Sequence, residues 1–308
     1  MIRTVTLNPS LDYLVFLPKK PFKEINRTEG EIIFPGGKGI NVAIVLENLG
    51  FRCNATGFYA GYTGNALLAM LKKQISCSDF IKLPEGQTRI NVKVKYLKEL
   101  DINGKGPKVQ EKDFSKLLSK LSALKDGDCL ILSGSIANGL KDDTYYKILK
   151  KLKNKNILTV VDATNNLLLN ALPCRPFLIK PNLAELSAMF NVKIKTQKDL
   201  IKYAQKTQEL GARNVLVSLG EKGALLVTER GEVLQSPAVK LNKKVINSVG
   251  AGDSMVAGFI AGWLQTKCYK TALDLAVACG GACVTGENLP SRKDILALNP
   301  KAKKFLPK

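Results

Sequence analysis

Residues 246–262 read INSVGAGDSMVAGFIAG, and the interpretation of the whole chain starts from this stretch. Gly250, Ala251 and Gly252 allow a sharp turn that presents bare backbone N–H groups, and the apolar run after them predicts a buried helix. Because a helix N-terminus has unpaired N–H groups and a positive dipole end, this turn is suited to hold an anion, typically phosphate. Asp253 follows in the first turn, where a carboxylate either caps the helix or takes a proton beside a bound phosphate.

A second glycine turn opens another predicted helix at residues 35–50, PGGKGINVAIVLENLG. Gly37 and Gly39 flank Lys38 at its start. The spacing is not that of a Walker A loop, because the earlier glycine is missing and Gly39 stands where Ser or Thr is required. The glycines, Lys38 and Asn41 suit a polar, anionic ligand, and the alternative is close packing of a helix on a strand.

Strand-like and helix-like segments alternate through most of the chain. Predicted strands lie at residues 2–7, 52–58, 78–83, 128–133, 157–162, 176–180 and 213–218. This alternation predicts an α/β fold with a mostly parallel sheet covered on both faces. Polar residues follow these strands at the sheet edge where open α/β sheets bind ligands. They are Asp12, Ser133, Ser135, Asp162, Asn182, Glu185 and Ser218.

Asn182 and Glu185 stand three residues apart at the start of a predicted helix. An amide and a carboxylate beside a phosphate site suit Mg²⁺ bound through water. The same pair can form a capping box, in which each side chain bonds to the other residue's backbone N–H. The two interpretations are compatible.

Residues 87–97, QTRINVKVKYL, alternate between apolar and polar residues. The odd-numbered residues from Arg89 to Lys95 share one face, which predicts a half-exposed antiparallel strand. With residues 13–34 this strand could form a small sheet that acts as a lid. For Lys93 and Lys95 we favour a solvated surface position.

The 308-residue chain carries 47 Lys and Arg against 26 Asp and Glu, a net charge of +21. Its length suits one large α/β domain. The positive charges are scattered in short clusters, which is typical of a lysine-rich surface and predicts no nucleic-acid partner. A basic nucleic-acid-binding protein remains the alternative from another functional class. No signal peptide and no membrane span is visible in the sequence.

The chain has no histidine, which excludes Ser-His-Asp and Cys-His catalysis and HExxH zinc sites. Its seven cysteines form no CxxC pair. Cys279 and Cys283 lie one turn apart in an apolar helix, which favours buried free thiols and a reducing, cytoplasmic location.

Two glycine-rich helix starts, two aspartates and a cationic strand together favour phosphoryl transfer. This chemistry needs neutralised charge, aligned reactants and a base for the attacking hydroxyl. Asp253 would take the hydroxyl proton, and Gly250 to Gly252 would hold the developing phosphoryl charge. A lid would exclude water, which otherwise hydrolyses the nucleotide.

The stretches PGGKGINVA and NSVGAGDSMVAGF resemble the two signature regions of the ribokinase-like carbohydrate kinases, the PfkB family. The stretches TLNPSLDY, GQTRINVKVK, INGKGP, IKPNLAEL and VSLGEKGALL resemble the family in the expected order, so the resemblance covers nearly the whole chain. It implies a ribokinase-like three-layer sandwich with a mostly parallel central sheet. It also implies a single domain over residues 1–308, with a β-sheet lid formed by about residues 11–35 and 86–108.

The resemblance implies a kinase that uses ATP, with Mg²⁺, to convert D-fructose 1-phosphate into D-fructose 1,6-bisphosphate. Three stretches, TLNPSLDY, TRINVK and INGKGP, are most similar to the family members with this activity. Tagatose-6-phosphate kinases share much of the pattern and are the alternative. In similar enzymes the lids of two subunits clasp, so a homodimer is implied.

The resemblance also implies a role for each matching residue. Asp253 matches the general base, Arg89 a contact to the substrate phosphate, and Ser135 a residue near the sugar. The remaining matches are the anion hole Gly250, Ala251 and Gly252; the sugar-binding positions Asp12, Gly37, Lys38 and Asn41; the ATP-binding residues Ser218, Leu219, Gly220, Glu221, Lys222, Gly223 and Gly252; and the magnesium pair Asn182 and Glu185.

Overall fold

A computed structural model describes residues 1–18, 25–96, 99–241, 244–246 and 248–307 of the chain. Its strands, in chain order, are β1 (Ile2–Thr6), β2 (Ser10–Phe16), β3 (Gly30–Gly36), β4 (Cys53–Tyr59), β5 (Cys77–Ser78), β6 (Ile81–Lys82), β7 (Arg89–Lys95), β8 (Glu99–Asn103), β9 (Cys129–Ser133), β10 (Leu158–Asp162), β11 (Leu178–Ile179), β12 (Asn214–Ser218), β13 (Ala224–Val227) and β14 (Val233–Ser236).

The α-helices, in chain order, are α1 (Lys38–Asn48), α2 (Gly61–Leu71), α3 (Glu111–Leu121), α4 (Thr144–Lys151), α5 (Asn165–Ala171), α6 (Leu183–Met189), α7 (Gln197–Glu209), α8 (Ala251–Thr266), α9 (Tyr269–Val284) and α10 (Arg292–Leu298). Each glycine turn identified in the sequence lies directly before a helix, α1 or α8. Among the described residues, no helix combines the length and the apolar character needed to cross a membrane.

The central sheet has the strand order β14-β13-β12-β11-β10-β9-β1-β4-β5, and β6 pairs with β4. Neighbouring strands from β12 to β5 are parallel, while β13 and β14 pair antiparallel at one edge. This confirms the predicted α/β fold with a mostly parallel sheet. The carboxyl ends of β1, β9, β10, β11 and β12 therefore lie side by side, where the sequence predicted the ligand site.

Two helical layers cover the two faces of this sheet, because alternate strand residues point in opposite directions. In β9, Cys129 and Ile131 pack in a core with α1, α2, α8, α9 and α10. Leu130 and Leu132 pack in a second core with α3 to α7. The result is the three-layer sandwich that the sequence predicted, with α1 and α8 on the same face.

A smaller sheet has the strand order β3-β2-β7-β8. The prediction of an antiparallel strand at residues 87–97 is half right, because β7 pairs antiparallel with β8 but parallel with β2. The predicted strand at residues 78–83 forms only the two short strands β5 and β6.

The two faces of the small sheet differ in chemistry. What we call the inner face carries polar side chains at alternate positions: Ser10, Asp12, Arg89, Asn91, Lys93 and Asn103. What we call the outer face carries exposed apolar side chains: Ile33, Ile90, Leu100 and Ile102. The inner face is turned towards the carboxyl edge of the central sheet and closes one side of a cavity there.

Candidate active site

The start of α8 has the turn that the sequence predicted. Gly250 is the N-cap residue and has φ +82°, in the left-handed region that favours glycine. A Cβ atom at this position would also lie 2.8 Å from Leu289 Cδ2. Glycine is thus required for both conformation and space, and Gly250 and Gly252 of this helix start line the cavity at the sheet edge.

Asp253 lies in the first turn of α8, and its residue surface is only 5% exposed. The Asn41 side chain, from α1, donates a hydrogen bond from Nδ2 to Asp253 Oδ2 at 2.8 Å. Burial and the nearby charge of Asp162 raise the pKa of Asp253 to about 6, against the lowering effects of Lys38, Asn41 and Lys180. A carboxylate with a pKa close to neutral is suited to act as a general base.

A buried carboxylate, Asp162, lies between two lysines beside the start of α8. Its oxygens are 3.4 Å from Lys38 Nζ and 3.4 Å from Lys180 Nζ. Burial acts to raise the pKa of Asp162, but Lys180 and Lys38 more than offset this and hold it below the usual range. Asp162 also raises the pKa of Lys38. The cluster therefore holds two lysine side chains beside the helix start.

Lys180 is a site residue that the sequence analysis missed. It is buried and directly follows β11, in the stretch IKPNLAEL, so its position after a strand was the available signal. A Cβ atom added to Gly252 would lie 3.1 Å from Lys180 Nζ. The ammonium group is thus held close to the first turn of α8, where it adds positive charge to the anion-binding turn.

The start of α1 packs directly on β1. Gly37 is the N-cap residue with φ +118°, and a Cβ atom there would lie 2.6 Å from Thr6 Cγ2. At Gly39 a Cβ atom would lie 2.7 Å from Val5 O. The close packing of helix on strand that the sequence left as an alternative is therefore present. Gly37 and Lys38 also line the cavity, so the two interpretations hold together.

Asp12 is held in a network on the inner face of the small sheet. Ser10 Oγ donates a hydrogen bond to Asp12 Oδ1 at 2.7 Å, and Asn91 Nδ2 donates to the same oxygen at 2.9 Å. Lys93 Nζ lies 3.6 Å from Asp12 Oδ2. The predicted solvated position of Lys93 was wrong, because its side chain is only 12% exposed and faces the cavity. Opposite Asp12, a Cβ atom on Gly36 would lie 2.5 Å from Oδ1.

Arg89, at the start of β7, also lines the cavity. It donates from Nε to Asn8 O at 3.1 Å and from Nη1 to Gly104 O at 3.5 Å. Burial lowers the pKa of Arg89 below its ordinary value, with Asp12 acting in the opposite direction. A guanidinium group remains charged at any physiological pH, so Arg89 provides a fixed cation there. Ser135 lines the same cavity.

These residues surround one polar cavity of about 610 Å³. The sequence-predicted residues that line it are Asp12, Gly37, Lys38, Asn41, Arg89, Ser135, Asn182, Glu185, Ser218, Gly250, Gly252 and Asp253. The lining residues to which the sequence analysis assigned no ligand contact are Thr6, Asn8, Ser10, Asn91, Lys93, Asn103, Thr164, Lys180 and Val249, among others. Most of the second group lie on the inner face or just after strands.

A second, mainly apolar cleft of about 360 Å³ lies on the other side of the α8 start. It shares Ser218 and Gly252 with the polar cavity. Ala251 and the turn residues Gly220, Glu221 and Gly223 line the cleft, while Leu219 and Lys222 line a separate cavity beside α6 and α7. The sequence analysis missed the apolar lining, which is Ala238, Val239, Leu241, Val245, Met255, Val277 and Val284 together with the glycines Gly280 and Gly281.

Asn182 and Glu185 form the predicted capping box at the start of α6. Asn182 Oδ1 accepts from the Glu185 N–H at 2.8 Å, and Glu185 Oε2 accepts from the Asn182 N–H at 2.8 Å. The capping box uses only Oε2 of the Glu185 carboxylate, so Oε1 takes no part in it. In the described residues, no group of three or more acidic, cysteine or histidine side chains is placed so that it could hold a metal ion. This donor set fits Mg²⁺ held by one carboxylate through water and by ligand phosphates.

The polar cavity and the apolar cleft meet at Gly252, where backbone N–H groups and Lys180 concentrate positive charge. Asp253 and the Arg89 cation both line the polar cavity. Such an arrangement can hold a nucleoside in the cleft and a polar anion in the cavity. It can also support transfer of an anionic group from a nucleotide in the cleft to a molecule in the cavity, with Asp253 nearby as a base.

Comparisons with known proteins agree with this arrangement. The sequence pattern of the pfkB family of carbohydrate kinases matches residues 7–292. The 1-phosphofructokinase of Bacillus subtilis is 39% identical over 98% of this chain and 99% of its own length. The D-tagatose-1-phosphate kinase of Bacillus licheniformis is 34% identical, with 84% of each chain covered. Phosphofructokinase-2 from Escherichia coli, solved in complex with fructose-6-phosphate, superposes with a TM-score of 0.89 at 28% identity over 98% of this chain and 99% of that chain.

Proposed function

The chain belongs to the pfkB family of carbohydrate kinases, and from this premise we propose that it is a 6-kinase of D-fructose 1-phosphate. It transfers the terminal phosphoryl group of ATP to the 6-hydroxyl and gives D-fructose 1,6-bisphosphate and ADP. The observation that carries this proposal is the junction at Gly252, where the apolar cleft and the polar cavity share one helix start. Only at such a junction can a nucleotide phosphate and a sugar hydroxyl meet.

Asp253 takes the proton of the 6-hydroxyl as the oxygen attacks the terminal phosphorus of ATP. A bond forms between O6 and phosphorus, the bond from phosphorus to the bridging oxygen breaks, and ADP leaves with that electron pair. Asn41 orients the carboxylate through its hydrogen bond to Oδ2. The raised pKa of Asp253 makes the proton transfer easier without leaving the base protonated at neutral pH.

The start of α8 stabilises the charge that develops on the transferred phosphoryl group. The N–H groups of Gly250, Ala251 and Gly252 are fixed by the turn, and Lys180 adds a full positive charge beside them. Asp162 keeps this lysine and Lys38 in place. Preorganised donors of this kind stabilise a transition state because they need no reorganisation during the reaction.

The polar cavity binds the acceptor sugar between α8 and Arg89. Asp12, Gly37, Lys38 and Asn41 contact the sugar, Ser135 lies beside it, and Arg89 binds its phosphate. This assignment is supported by the position of all six residues around one cavity.

The apolar cleft binds the nucleoside of ATP, with the turn at residues 218–223 against the ribose and phosphates. Gly280 and Gly281 line this cleft, where a Cβ atom on either would crowd the lining residues Met255 or Val239 to within 3 Å. Mg²⁺ would be held by Glu185 and Asn182 through water, and would supply neutralisation of the ATP phosphates.

The small sheet serves as a lid over the acceptor, and its outer face is covered by a second copy of the chain. Exposed apolar side chains on a sheet mark an interaction surface, and the outer face carries four of them, Ile33, Ile90, Leu100 and Ile102. A homodimer formed through these faces is supported by this contiguous apolar surface. A reducing, cytoplasmic location is supported by the seven cysteines, all of which are free thiols.

A comparison of four acceptors tests the proposed function. The purified protein with ATP and Mg²⁺ is assayed for ADP release with fructose 1-phosphate, tagatose 1-phosphate, fructose 6-phosphate and tagatose 6-phosphate. We expect the highest kcat/KM with fructose 1-phosphate. The second candidate, tagatose 1-phosphate, is favoured by the 34% identical relative that uses its name, and a higher kcat/KM with it would replace our choice of sugar. A preference for either 6-phosphate would contradict the proposal, because the acceptor phosphate would then lie at the other end.

A further inference from the structure

Cys283 lies near the end of α9, and the proposed reaction gives its thiol no role. The residue is buried, and its Sγ donates a hydrogen bond to Val249 O at 3.3 Å. A Cβ atom added to Gly250 would lie 3.6 Å from the same sulfur, so the thiol lies directly against the turn at the start of α8. Val249 and Gly250 both line the polar cavity. The thiol therefore touches the cavity wall from the side of α9.

The Cys283 thiol keeps its hydrogen at neutral pH. Burial raises its pKa to about 11, with Ser254 acting in the opposite direction. A protonated thiol can donate to a carbonyl, whereas a thiolate would repel one. The hydrogen bond to Val249 O is thus available under ordinary conditions.

The end of α9 gives this thiol a firm base. A Cβ atom on Gly280, one turn before Cys283, would lie 3.4 Å from Ala251 O, so the backbones of α9 and α8 are close together here. Val284 O also accepts a hydrogen bond from the Ile246 N–H at 2.8 Å. The backbone that leads into the α8 turn is therefore held on α9 at residue 246 and again at residue 249.

The hydrogen bond from the thiol also sets the direction of the peptide between Val249 and Gly250. In a planar trans peptide the C=O and the following N–H point in opposite directions. Because the Val249 carbonyl is directed at α9, the Gly250 N–H is directed away from α9. This N–H is one of those that a helix start leaves without an intrahelical partner. Rotation of the peptide would turn it out of the proposed anion-binding turn.

We propose that Cys283 is a positioning residue, whose thiol holds the Val249–Gly250 peptide in the orientation that phosphoryl transfer requires. This inference rests on the proposed function, in which the start of α8 stabilises the phosphoryl group in the transition state. Donors of this kind act mainly in the transition state, so loss of the thiol should slow the chemical step and leave ATP and sugar binding unchanged. A role in packing alone would lower stability without this selective effect on the rate.

Two variants that differ only by a hydroxyl group test this role. Cys283→Ala removes the donor, and Cys283→Ser replaces it with a hydroxyl donor. The rate of the chemical step is measured in single turnovers, with the protein in excess over ATP and with the acceptor that the wild type uses best. We expect Cys283→Ala to lose about 5- to 10-fold, the magnitude of one lost hydrogen bond, and Cys283→Ser to stay within about twofold of the wild type. The Kd values for ATP and for the sugar should be unchanged in both.

Cys279 provides the matched control, since it is also buried and lies one turn earlier in α9. A Cβ atom on Gly258 would lie 2.7 Å from its sulfur, so this thiol packs on the middle of α8 and not on its start. Cys279→Ala and Cys279→Ser should leave the single-turnover rate unchanged, although each should lower the Tm as the Cys283 variants do.

Two results would overturn the inference. One is a single-turnover rate of Cys283→Ala equal to that of Cys279→Ala, and the other is an equal loss in Cys283→Ala and Cys283→Ser, because packing would then be the cause. If Cys283→Ala does not fold, as judged by circular dichroism, Cys283→Val and Cys283→Thr form a second pair without and with a hydroxyl. Failure of the proposed function would show in the wild type alone, as a preference for an acceptor other than fructose 1-phosphate.

Discussion

Asp253 is the residue on which the proposed chemistry depends. It is buried, it accepts a hydrogen bond from Asn41, and its pKa is raised to about 6 by burial and by Asp162. A carboxylate that merely capped α8 would gain nothing from a raised pKa, since capping favours the charged form. These features favour the general base over the cap.

Replacing Asp253 with Asn should lower kcat by roughly two to four orders of magnitude, the usual range for a positioned general base. The amide keeps the shape of the side chain but cannot accept the proton. Nucleotide binding, measured by isothermal titration calorimetry, should be unchanged, because the apolar cleft is not altered. Turnover close to that of the wild type would remove Asp253 from this role.

The pKa of Asp253 should also set the pH dependence of the proposed reaction. The base works only when deprotonated, so kcat/KM should fall as the pH is lowered through about 6 and be level above it. The phosphate of the substrate ionises in the same range, and the residual activity of Asp253→Asn provides the control. The acidic limb due to the base should be missing from that variant, and an identical profile in both proteins would contradict the assignment.

The same carboxylate should reduce the stability of the folded protein. Its folded-state pKa is above its unfolded value of 3.8, so the folded state binds more protons between about pH 4 and 6 and stability falls as the pH rises through that window. Asp253→Asn should therefore raise the Tm by more at pH 8 than at pH 4.5. A Tm difference that does not depend on pH would show that folding does not raise the pKa of Asp253.

Single residues of the site could be predicted from the sequence where a backbone requirement marked them. Gly37 and Gly250 are such positions, because their positive φ angles select glycine. Lys180 and Lys93 could not be identified, because their roles come from long-range partners: Lys180 pairs with Asp162 across strands, and Lys93 pairs with Asp12 from another strand. A lysine in a sequence shows its charge but not which residue lies opposite to it.

The start of α8 combines a conformational and a steric requirement, and these can be separated. Gly250 has φ +82° and would place a Cβ atom 2.8 Å from Leu289, whereas Gly231 has φ +80° and would place one in open space. Alanine at either position should cost about 1–2 kcal/mol of stability for the left-handed conformation. Gly250→Ala should lose more stability than Gly231→Ala, because its Cβ atom would also crowd Leu289.

Only Gly250→Ala should also lose turnover, because only there does the displaced backbone belong to the turn that we propose holds the phosphoryl group. Urea unfolding and steady-state kinetics of the two variants measure these two effects. Equal kcat values for Gly231→Ala and Gly250→Ala would show that the geometry of the α8 turn is not needed for catalysis.

Helices and strands with strong periodicity were predictable, and the weaker ones were not. The long helices α8 and α9 and the buried strands follow from apolar runs between glycine and polar turns. The pairing of β7 did not follow, since the residue pattern of a strand fixes its two faces but not the direction of its neighbours. The segment at residues 78–83 has strand-like composition, yet its pieces pair only along two residues each with β4.

The assembly of the molecule is predicted to depend on the outer face. Ile102, which is 55% exposed, should lie in the proposed contact between two copies. Ile102→Lys should shift sedimentation from dimer towards monomer, because a buried lysine without a partner is costly. Leu210→Lys is the matched control, since Leu210 is 46% exposed at the end of α7, away from the small sheet. A dimer unaffected by Ile102→Lys would place the contact elsewhere.

The strict difference between the two faces of the small sheet has a consequence for errors in folding. If β7 slipped by one residue against β2, every side chain would change face. Ile90 and Val92 would then enter the polar cavity, and Arg89 and Asn91 would be exposed on the outer face, where we propose that a second copy binds. A single register error would therefore remove both catalysis and dimer formation. Only correctly folded chains would then form the proposed dimer.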